Sequence, residues 1–433
     1  MARKPNLFIY LADDLSKADM GTYGAKRAKT PFLDQLAAEG IQFENAYVAS
    51  PSCAPSRAAL LTGLWPIRNG AQANHRLPQT DIPLLTQSLR ESGYRVIAIG
   101  KIAHKQLHDS LSFDYYRHRP VNLTQQVRQY LRQHPSDQPT CLLIGDRRPH
   151  VAWTSSPTYD PDSVDLPVNL LDTPETRAHR ARYYTDISGL DHEFGQIKAH
   201  LDSLWQTPFL TLFSSDHGAQ WPFAKWNLYE IGTNVPLLIS WPGQIEADQQ
   251  SDAMLSWIDI MPTILDLVGA KVPTDLSGRS FASVLTGEQD AFRSQIFTTH
   301  TGDGPMNVYP MRAVRDQRYK YIRNYLPLHF HTNHSDRLRK DGAGAYWDSW
   351  DHLAQSDPQA QRLIQAYYLR PAEELYDLRQ DPLEQINLIA LPQYQEELGR
   401  MRGLLQTWLK EYEDTILLHQ EPYPLEAGLP DLR

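Results

Sequence analysis

Cysteine is scarce: two residues, Cys53 and Cys141, in a chain of 433. Two thiols support neither a disulfide framework nor a four-cysteine zinc site. Long apolar runs are missing too, and nothing approaches the ~20 residues needed to cross a bilayer. Positive charge is in deficit, with 42 Lys and Arg against 51 Asp and Glu and a net charge of −9. A broad basic surface for nucleic acid is therefore not expected, and neither nucleic acid nor membrane is an expected partner. The G-x-S-x-G elbow, the P-loop and H-E-x-x-H are absent. His192-Glu193 lacks the second histidine, and Gly342-Ala-Gly344 lacks the third glycine of a dinucleotide fingerprint. The chain enters the apolar run NLFIYLA almost at once. That run is too short, and ends in too many acids, for a secretory leader. As written, the sequence points to the cytoplasm, with the periplasm or secretion as the alternative if a leader has been removed.

What remains is ordinary globular material, 41% apolar and 21% charged. At ~150 residues per domain the length suggests two or three domains. Short apolar runs alternate with helical patterns. Strands are predicted at residues 6–11, 95–99, 140–144, 209–213 and 236–240, and continuous apolar strands of this kind suit a parallel sheet covered on both faces. Helices are predicted at 30–39, 55–62, 84–92, 123–133, 175–204 and 257–268. The alternation argues α/β. Residues 108–120 and 155–174 read as long surface loops, and 177–182 as a solvated helix face. After about residue 300 the texture changes. A hairpin at 311–325 turning near Asp316-Gln317, a short strand at 373–378 and an amphipathic helix at 394–413 suggest a smaller α+β domain. The expected division is 1–300 and 301–433. Tyr346, Trp347 and Trp350 are expected to pack rather than to stack on a sugar.

Several predicted strands run into polar clusters at their C-terminal ends, where open α/β sheets place ligands. The first runs into Asp13-Asp14, the second into Gly100-Lys101 and His104, the third toward Pro149-His150, the fourth into Asp216-His217-Gly218. A lone Asp-Asp after a strand reads first as a turn or helix cap. A second acidic cluster beyond another strand makes both candidates for a hard divalent cation, which takes carboxylate oxygens from separate loops. His217 is a less usual neighbour for calcium, so the residues leave the ion open.

The segment SPSCAPSRAALLTG at 50–63 is the most informative. Pro55 suits the first turn of a helix, which places Cys53 at an N-terminus where free N–H groups favour an anion. The dipole alone contributes only ~0.3–1 kcal/mol, too little for anion chemistry. Arg57, four residues on, shares the face of Cys53, and its guanidinium is expected to point back at the thiol. Cys53 reads either as a low-pKa nucleophile or as an inert buried thiol. Cys141, inside TCLLIGD, fits the inert reading. A soft thiolate does not match a hard, oxygen-rich metal site. Conversion of Cys53 to an oxygen-bearing side chain removes that conflict.

These residues resemble the type I sulfatases of the alkaline-phosphatase superfamily. The signature Cys-x-Pro-Ser-Arg followed by Leu-Thr-Gly stands as Cys53-Ala-Pro55-Ser56-Arg57 and Leu61-Thr62-Gly63. Leu11-Ala-Asp-Asp14, Gly100-Lys101, Pro149-His150, Ser215-Asp216-His217-Gly218, Ala224-Lys225, Asp259-Ile-Met-Pro-Thr263 and Glu374-Leu-Tyr-Asp-Leu378 extend the similarity over nearly the whole chain. The resemblance implies an alkaline-phosphatase-like α/β fold, a large mixed, mainly parallel sheet sandwiched by helices. It implies that a separate formylglycine-generating enzyme oxidises Cys53 to Cα-formylglycine. By the family pattern Asp13, Asp14, Asp216 and His217, with residue 53, match the ligands of one divalent cation, usually Ca2+, with Mg2+ or Mn2+ as alternatives. Arg57 matches the residue that steadies the formylglycine. Lys101, His104, His150 and Lys225 match the groups that hold the sulfate oxygens and serve the leaving group.

Many members have Asn where His217 stands, and the Lys101-to-His104 spacing is often one residue shorter. Both variants resemble the iduronate-sulfatase branch. Tyr309-Pro-Met-Arg312-Ala-Val-Arg315 looks like the N-sulfoglucosamine sulfohydrolase (heparan sulfamidase) branch, and His300 before it is expected at the substrate rim. The implied substrate is a small sulfated sugar or glycosaminoglycan chain end, hydrolysed at a sulfate ester or sulfamate. The alternatives are a phosphonate monoester or phosphodiester hydrolase of the same superfamily and a catalytically silent homologue that binds sulfated sugar.

Overall fold

A computed structural model of the chain describes residues 4–104 and 111–429. The start of the loop predicted at 108–120 lies outside the described residues, as do residues 1–3 and 430–433. The strands, in chain order, are β1 (Leu7–Ala12), β2 (Ile41–Phe43), β3 (Ala46–Tyr47), β4 (Arg95–Gly100), β5 (Tyr115–Arg117), β6 (Thr140–Gly145), β7 (Leu210–Ser215), β8 (Leu237–Ser240), β9 (Gln249–Ser251), β10 (Leu255–Ser256), β11 (Ile296–His300), β12 (Met311–Arg315), β13 (Tyr319–Asn324) and β14 (Glu373–Asp377). Eight form one sheet in the order β5-β4-β6-β1-β7-β8-β2-β9. Every neighbouring pair in it is parallel except the two that involve β8. The sheet is thus mixed and mainly parallel.

Every residue of β1, β6 and β7 is buried. Helices cover both faces, which is why these strands read as mainly apolar runs. Phe8 and Tyr10 point into one core with Ile187 and Phe194 of the long helix Pro174–Leu204. Leu7, Ile9 and Leu11 point into the other with Leu60 and Leu61 of the helix Cys53–Thr62. The five predicted strands all join this sheet, and helices form at Pro31–Ala38, Cys53–Thr62, Leu85–Glu91, Leu123–Gln133, Pro174–Leu204 and Ile260–Leu267. β5 stands where a loop was predicted; three residues at a sheet edge are too few to show a period. Residues 177–182 are not uniformly solvated. Arg180 is buried, pairs with Asp19 and lies over the Tyr184 ring.

The second sheet, β11-β12-β13-β14, is antiparallel throughout. It takes in β11, which precedes residue 301. The helix Gln395–Glu411 lays Leu398, Met401, Leu405 and Trp408 along one stripe against Val314, Tyr321 and Leu375. Trp408 stacks on Phe297 of β11 at 5.0 Å and meets Trp65 edge-on at 5.7 Å. Trp65 follows the Cys53 helix closely, so the small sheet is fastened to the element that carries Cys53. The hairpin turns at Asp316, whose Oδ1 accepts from the Arg318 and Tyr319 N–H groups at 2.8 Å each. Tyr346, Trp347 and Trp350 are buried against one another, as packing residues. Among the described residues no helix is long and apolar enough to cross a membrane.

Candidate active site

β4, β6, β1 and β7 are adjacent and parallel, so their C-terminal ends open on one rim. β1 delivers Asp13 and Asp14 there, β4 delivers Lys101, the segment after β6 His150, and β7 Asp216 and His217. The Cys53 helix points its N-terminus at the same place. Close backbone approach matters beside Lys101. A Cβ on Gly100 would lie 2.1 Å from the Gly145 carbonyl oxygen, and one on Gly145 would lie 2.0 Å from that of Lys101. Glycine at both positions lets β4 and β6 close up and turns the lysine back over β1.

Asp13, Asp14, Asp216 and His217 are each 0% exposed. Asp14, Cys53, Asp216 and His217 each bring a ligand atom within 4.8 Å of the others. Asp13 stands beside them, its Oδ1 3.9 Å from Cys53 Sγ. Both its oxygens accept from the Lys101 ammonium at 2.6 Å, while Lys225 donates to both oxygens of Asp14 at 2.9 and 2.8 Å. Cys53 Sγ lies 3.3 Å from Lys101 Nζ and 3.4 Å from His217 Nε2.

Arg57 corrects one expectation. Its guanidinium does not aim at the thiol. Nε donates to Asp216 Oδ2 at 2.9 Å and Nη2 to Asp13 Oδ1 at 3.4 Å, with the Ala12 and Lys101 carbonyls as further acceptors. The shared helical face brings Arg57 under Cys53, but carboxylates are stronger partners for a guanidinium than sulfur.

Three buried carboxylates are tolerable here because three cations face them. Burial works against ionisation of Asp13, yet Lys101, His150, Arg57 and Lys225 outweigh it and hold the carboxylate well below its usual range. Asp14 is lowered likewise, burial being overcome by Lys225, His150 and His217. Burial opposes charge on Lys101 and Lys225, but Asp13 keeps the first protonated and Asp14 the second. For His217, burial is outweighed by Asp216, Asp14 and Cys53, and the pKa rises to about 9.

The other histidines differ. Burial, then Lys225 and Lys101, push His150 down against the pull of Asp14 and Asp13. His104 lies against the His75 ring at 4.6 Å, and burial, Lys101 and His75 push it to about 3. His300 is not at a rim. β11 carries it inward, where Nε2 is 2.6 Å from Asn307 Oδ1 and burial holds it at about 4. Cys141 is buried in β6, and burial raises its thiol pKa, as an inert residue requires.

The donor set fits a hard divalent cation. Asp13 and Asp14 each already grip a positive group with both oxygens, and Asp216 and His217 add donors from a neighbouring strand. Sulfur at position 53 is the one soft donor, so an oxygen there leaves the His217 nitrogen as the one donor of this set that is not oxygen. A divalent ion added to the balanced charges leaves its own positive charge in surplus, which suits an anionic substrate. Protonated His217 stabilises the metal-free fold below pH 6.5, and that contribution is lost as pH rises through about 9. A cation at Nε2 must displace that proton. Affinity for a divalent cation should therefore climb about tenfold per pH unit below that point, with about one proton released per ion. Calorimetry in buffers of different ionisation enthalpy measures the release; none at neutral pH would rule out His217 as a ligand.

The sulfatase family model matches residues 5–270, more than half of the chain. The chain belongs to the sulfatase family. A second model, N-sulphoglucosamine sulphohydrolase, C-terminal, matches residues 217–337. This sulfatase is 30% identical over 433 residues to an ulvan-active sulfatase of Formosa agariphila, covering 96% of this chain and 82% of the relative. It is 29% identical to human N-sulphoglucosamine sulphohydrolase, covering 95% and 91%. Its fold matches the solved structure of BT4656 with its substrate D-glucosamine-2-N,6-O-disulfate at TM-score 0.74 and 19% identity, covering 96% and 99%. It also matches a phosphonate monoester hydrolase of Agrobacterium radiobacter at TM-score 0.69 and 19% identity, covering 96% of each chain. As its curated relatives are sulfatases and a sulfohydrolase, this sulfatase is a sulfuric ester hydrolase or a sulfamidase.

Four neighbouring residues carried no signal in the sequence. Asn74 Oδ1 accepts from the Ala54 N–H at 3.0 Å, and Asn74 Nδ2 donates to Asp303 Oδ2 at 2.8 Å. The Trp226 indole donates to the same oxygen at 2.7 Å, and His75 Nε2 lies 3.1 Å from Oδ1. Asp303 is more than two hundred residues away along the chain from Asn74 and His75, and no motif links them.

Proposed function

We propose that this sulfatase hydrolyses the sulfate ester or sulfamate of a small sulfated sugar or glycosaminoglycan chain end, N-sulfoglucosamine-type favoured, with formylglycine made from Cys53 as nucleophile. The observation that carries this is the place of Cys53 Sγ, within 4 Å of Asp13, Lys101 and His217 at once. The match to the N-sulphoglucosamine sulphohydrolase C-terminal model supports the substrate class. A divalent cation held by Asp13, Asp14, Asp216, His217 and residue 53 supplies Lewis-acid polarisation when bound.

The side chains do the rest. A separate formylglycine-generating enzyme first oxidises the Cys53 thiol to the aldehyde, whose hydrate carries two hydroxyls on one carbon. One hydroxyl loses its proton to solvent and its oxygen bonds to sulfur while the S–O or S–N bond to the sugar breaks in line with it. Lys101 and Lys225 hold the sulfo oxygens as charge shifts onto them, and each such donor contributes roughly 10²–10³ in rate. His150 or His104 gives the leaving oxygen or nitrogen its proton. An arriving sulfo group raises the histidine pKa that burial has lowered. The second hydroxyl then surrenders its proton to the histidine that protonated the leaving group, the C=O bond re-forms, the C–O bond to sulfate breaks, and water rehydrates the aldehyde. Arg57 holds Asp216 and Asp13 in place beneath these events.

One preparation assayed on glucosamine N-sulfate, O-sulfated monosaccharides, an aryl sulfate and a phosphonate monoester tests the reading. Turnover of sugar sulfates or sulfamates should exceed that of the phosphonate by at least tenfold in kcat/KM. A phosphonate preference sinks it. So does an unmodified Cys53 in active enzyme, read from intact mass.

A further inference from the structure

One wall of the site joins His104, named above for the leaving group, to groups the reaction above does not use. His75, His104 and His334 line it, with Asp303 behind. Asp303 Oδ2 accepts from Asn74 and Trp226, and Oδ1, without a hydrogen-bond partner among the described residues, lies 3.1 Å from His75 Nε2 as an ion-pair contact. His334 stacks on the Trp226 ring at 5.4 Å, and the Lys225 ammonium lies 4.8 Å from the centroid of that ring. Asn74 takes the N–H of Ala54, so the wall begins one residue from the nucleophile. Among the described residues, the buried Nδ1 atoms of His104 and His334 have no hydrogen-bond partner. His75 is exposed yet holds φ at 67°, and Trp226 holds 65°. Such non-glycine backbone costs on the order of 1–3 kcal/mol and collects at ligand clamps.

We propose that His75, with His104 and His334 beside it, receives the unsulfated hydroxyls of the sugar that carries the sulfo group, and that Asp303 is the positioning residue that orients His75. This rests on the carbohydrate reading above and says which residues make it specific. An imidazole whose Nε2 is drawn to a carboxylate presents Nδ1 on the opposite side of the ring. Hydroxyls both donate and accept, so they suit such rings and the free nitrogens beside them. The wall does not suit a second anion. Burial works against ionisation of Asp303, but His75, His334 and Asn74 keep it a carboxylate. Its charge would repel a further sulfo group on the same sugar. Trp226 is covered by His334 and Lys225, so recognition here runs through hydrogen bonds and not through stacking.

The test compares kcat/KM for glucosamine N-sulfate, its 6-O-sulfated form and 4-nitrophenyl sulfate in wild type, His75→Ala and Asp303→Asn. His75→Ala should raise KM for the sugar about tenfold and lower the sugar-over-aryl preference by a similar factor. His75→Gln should restore part of it. Asp303→Asn should lower the same preference and narrow the gap between mono- and disulfated sugar. Equal losses on sugar and aryl sulfate would overturn the proposal, because a wall that merely props the nucleophile helix harms both alike. No change on either would overturn it too. A wild type that splits the aryl sulfate but no sugar sulfate removes the carbohydrate reading itself, and this wall's role with it. Should Asp303→Asn not fold, the exposed His75 still decides.

Discussion

Cys53→Ala should abolish sulfate turnover, by roughly 10⁴–10⁶-fold as for loss of other enzyme nucleophiles, while the protein still folds. The thiol is buried, but the polar groups around it keep other partners. Lys101 retains both oxygens of Asp13, and His217 retains Asp14 and Asp216 within 3.7 Å. Losing one buried sulfur atom should cost about 1 kcal/mol, near the centre of the range for point changes. Circular dichroism and melting temperature check the fold, and an aryl sulfate checks turnover. Retained activity would reject the nucleophile assignment. Cys53→Ser is the sharper experiment. One hydroxyl can take a sulfo group once, but no second hydroxyl remains to expel it. A single sub-turnover burst with one sulfo group left on the protein, seen by intact mass, is the expected outcome. Steady turnover by the serine variant would show that a geminal diol is not needed.

Much of this site was legible because strands buried on both faces betray themselves. The runs leading to Asp13-Asp14, Lys101 and Asp216-His217 are mainly apolar, interrupted in the last by Thr211 and Ser214-Ser215, so their C-terminal ends and polar residues could be placed together. The Cys53 helix was legible through Pro55 and the alanines that follow it. The direction of the Arg57 side chain was not. Periodicity gives a face, while the choice between sulfur and two carboxylates depends on strands contributed from elsewhere. His300 failed for a related reason. Its position before the hairpin suggested a rim, but it closes β11, and strand pairing with β12 turns it into the interior. The Asn74, His75, Trp226 and Asp303 contacts were invisible because each residue alone is an ordinary loop residue. Only the packing of the small sheet on the Cys53 helix brings them to one place.

The second large effect is expected from Asp216→Ala, which should remove the metal, the activity and much of the stability together. Asp216 does three things at once. It takes the Arg57 Nε–H at 2.9 Å, it takes the Asp14 N–H at 3.1 Å, and it stands among the candidate ligands. Alanine leaves Arg57 buried with only Asp13 as a charged partner, and stripping one member of a buried pair costs about 3–5 kcal/mol. Asp216→Asn separates these roles. Its amide oxygen can still accept a hydrogen bond, so it should lose less stability than alanine, but it brings no negative charge to a cation. Titrating calcium while following the melting temperature reads both terms. Wild type should melt higher as calcium rises, by mass action on the folded state, whereas neither variant should respond. Asn melting close to wild type without calcium, yet deaf to it, would assign Asp216 to the metal. An alanine variant that keeps its calcium response would take Asp216 out of the ligand set and leave it as the anchor of Arg57 alone.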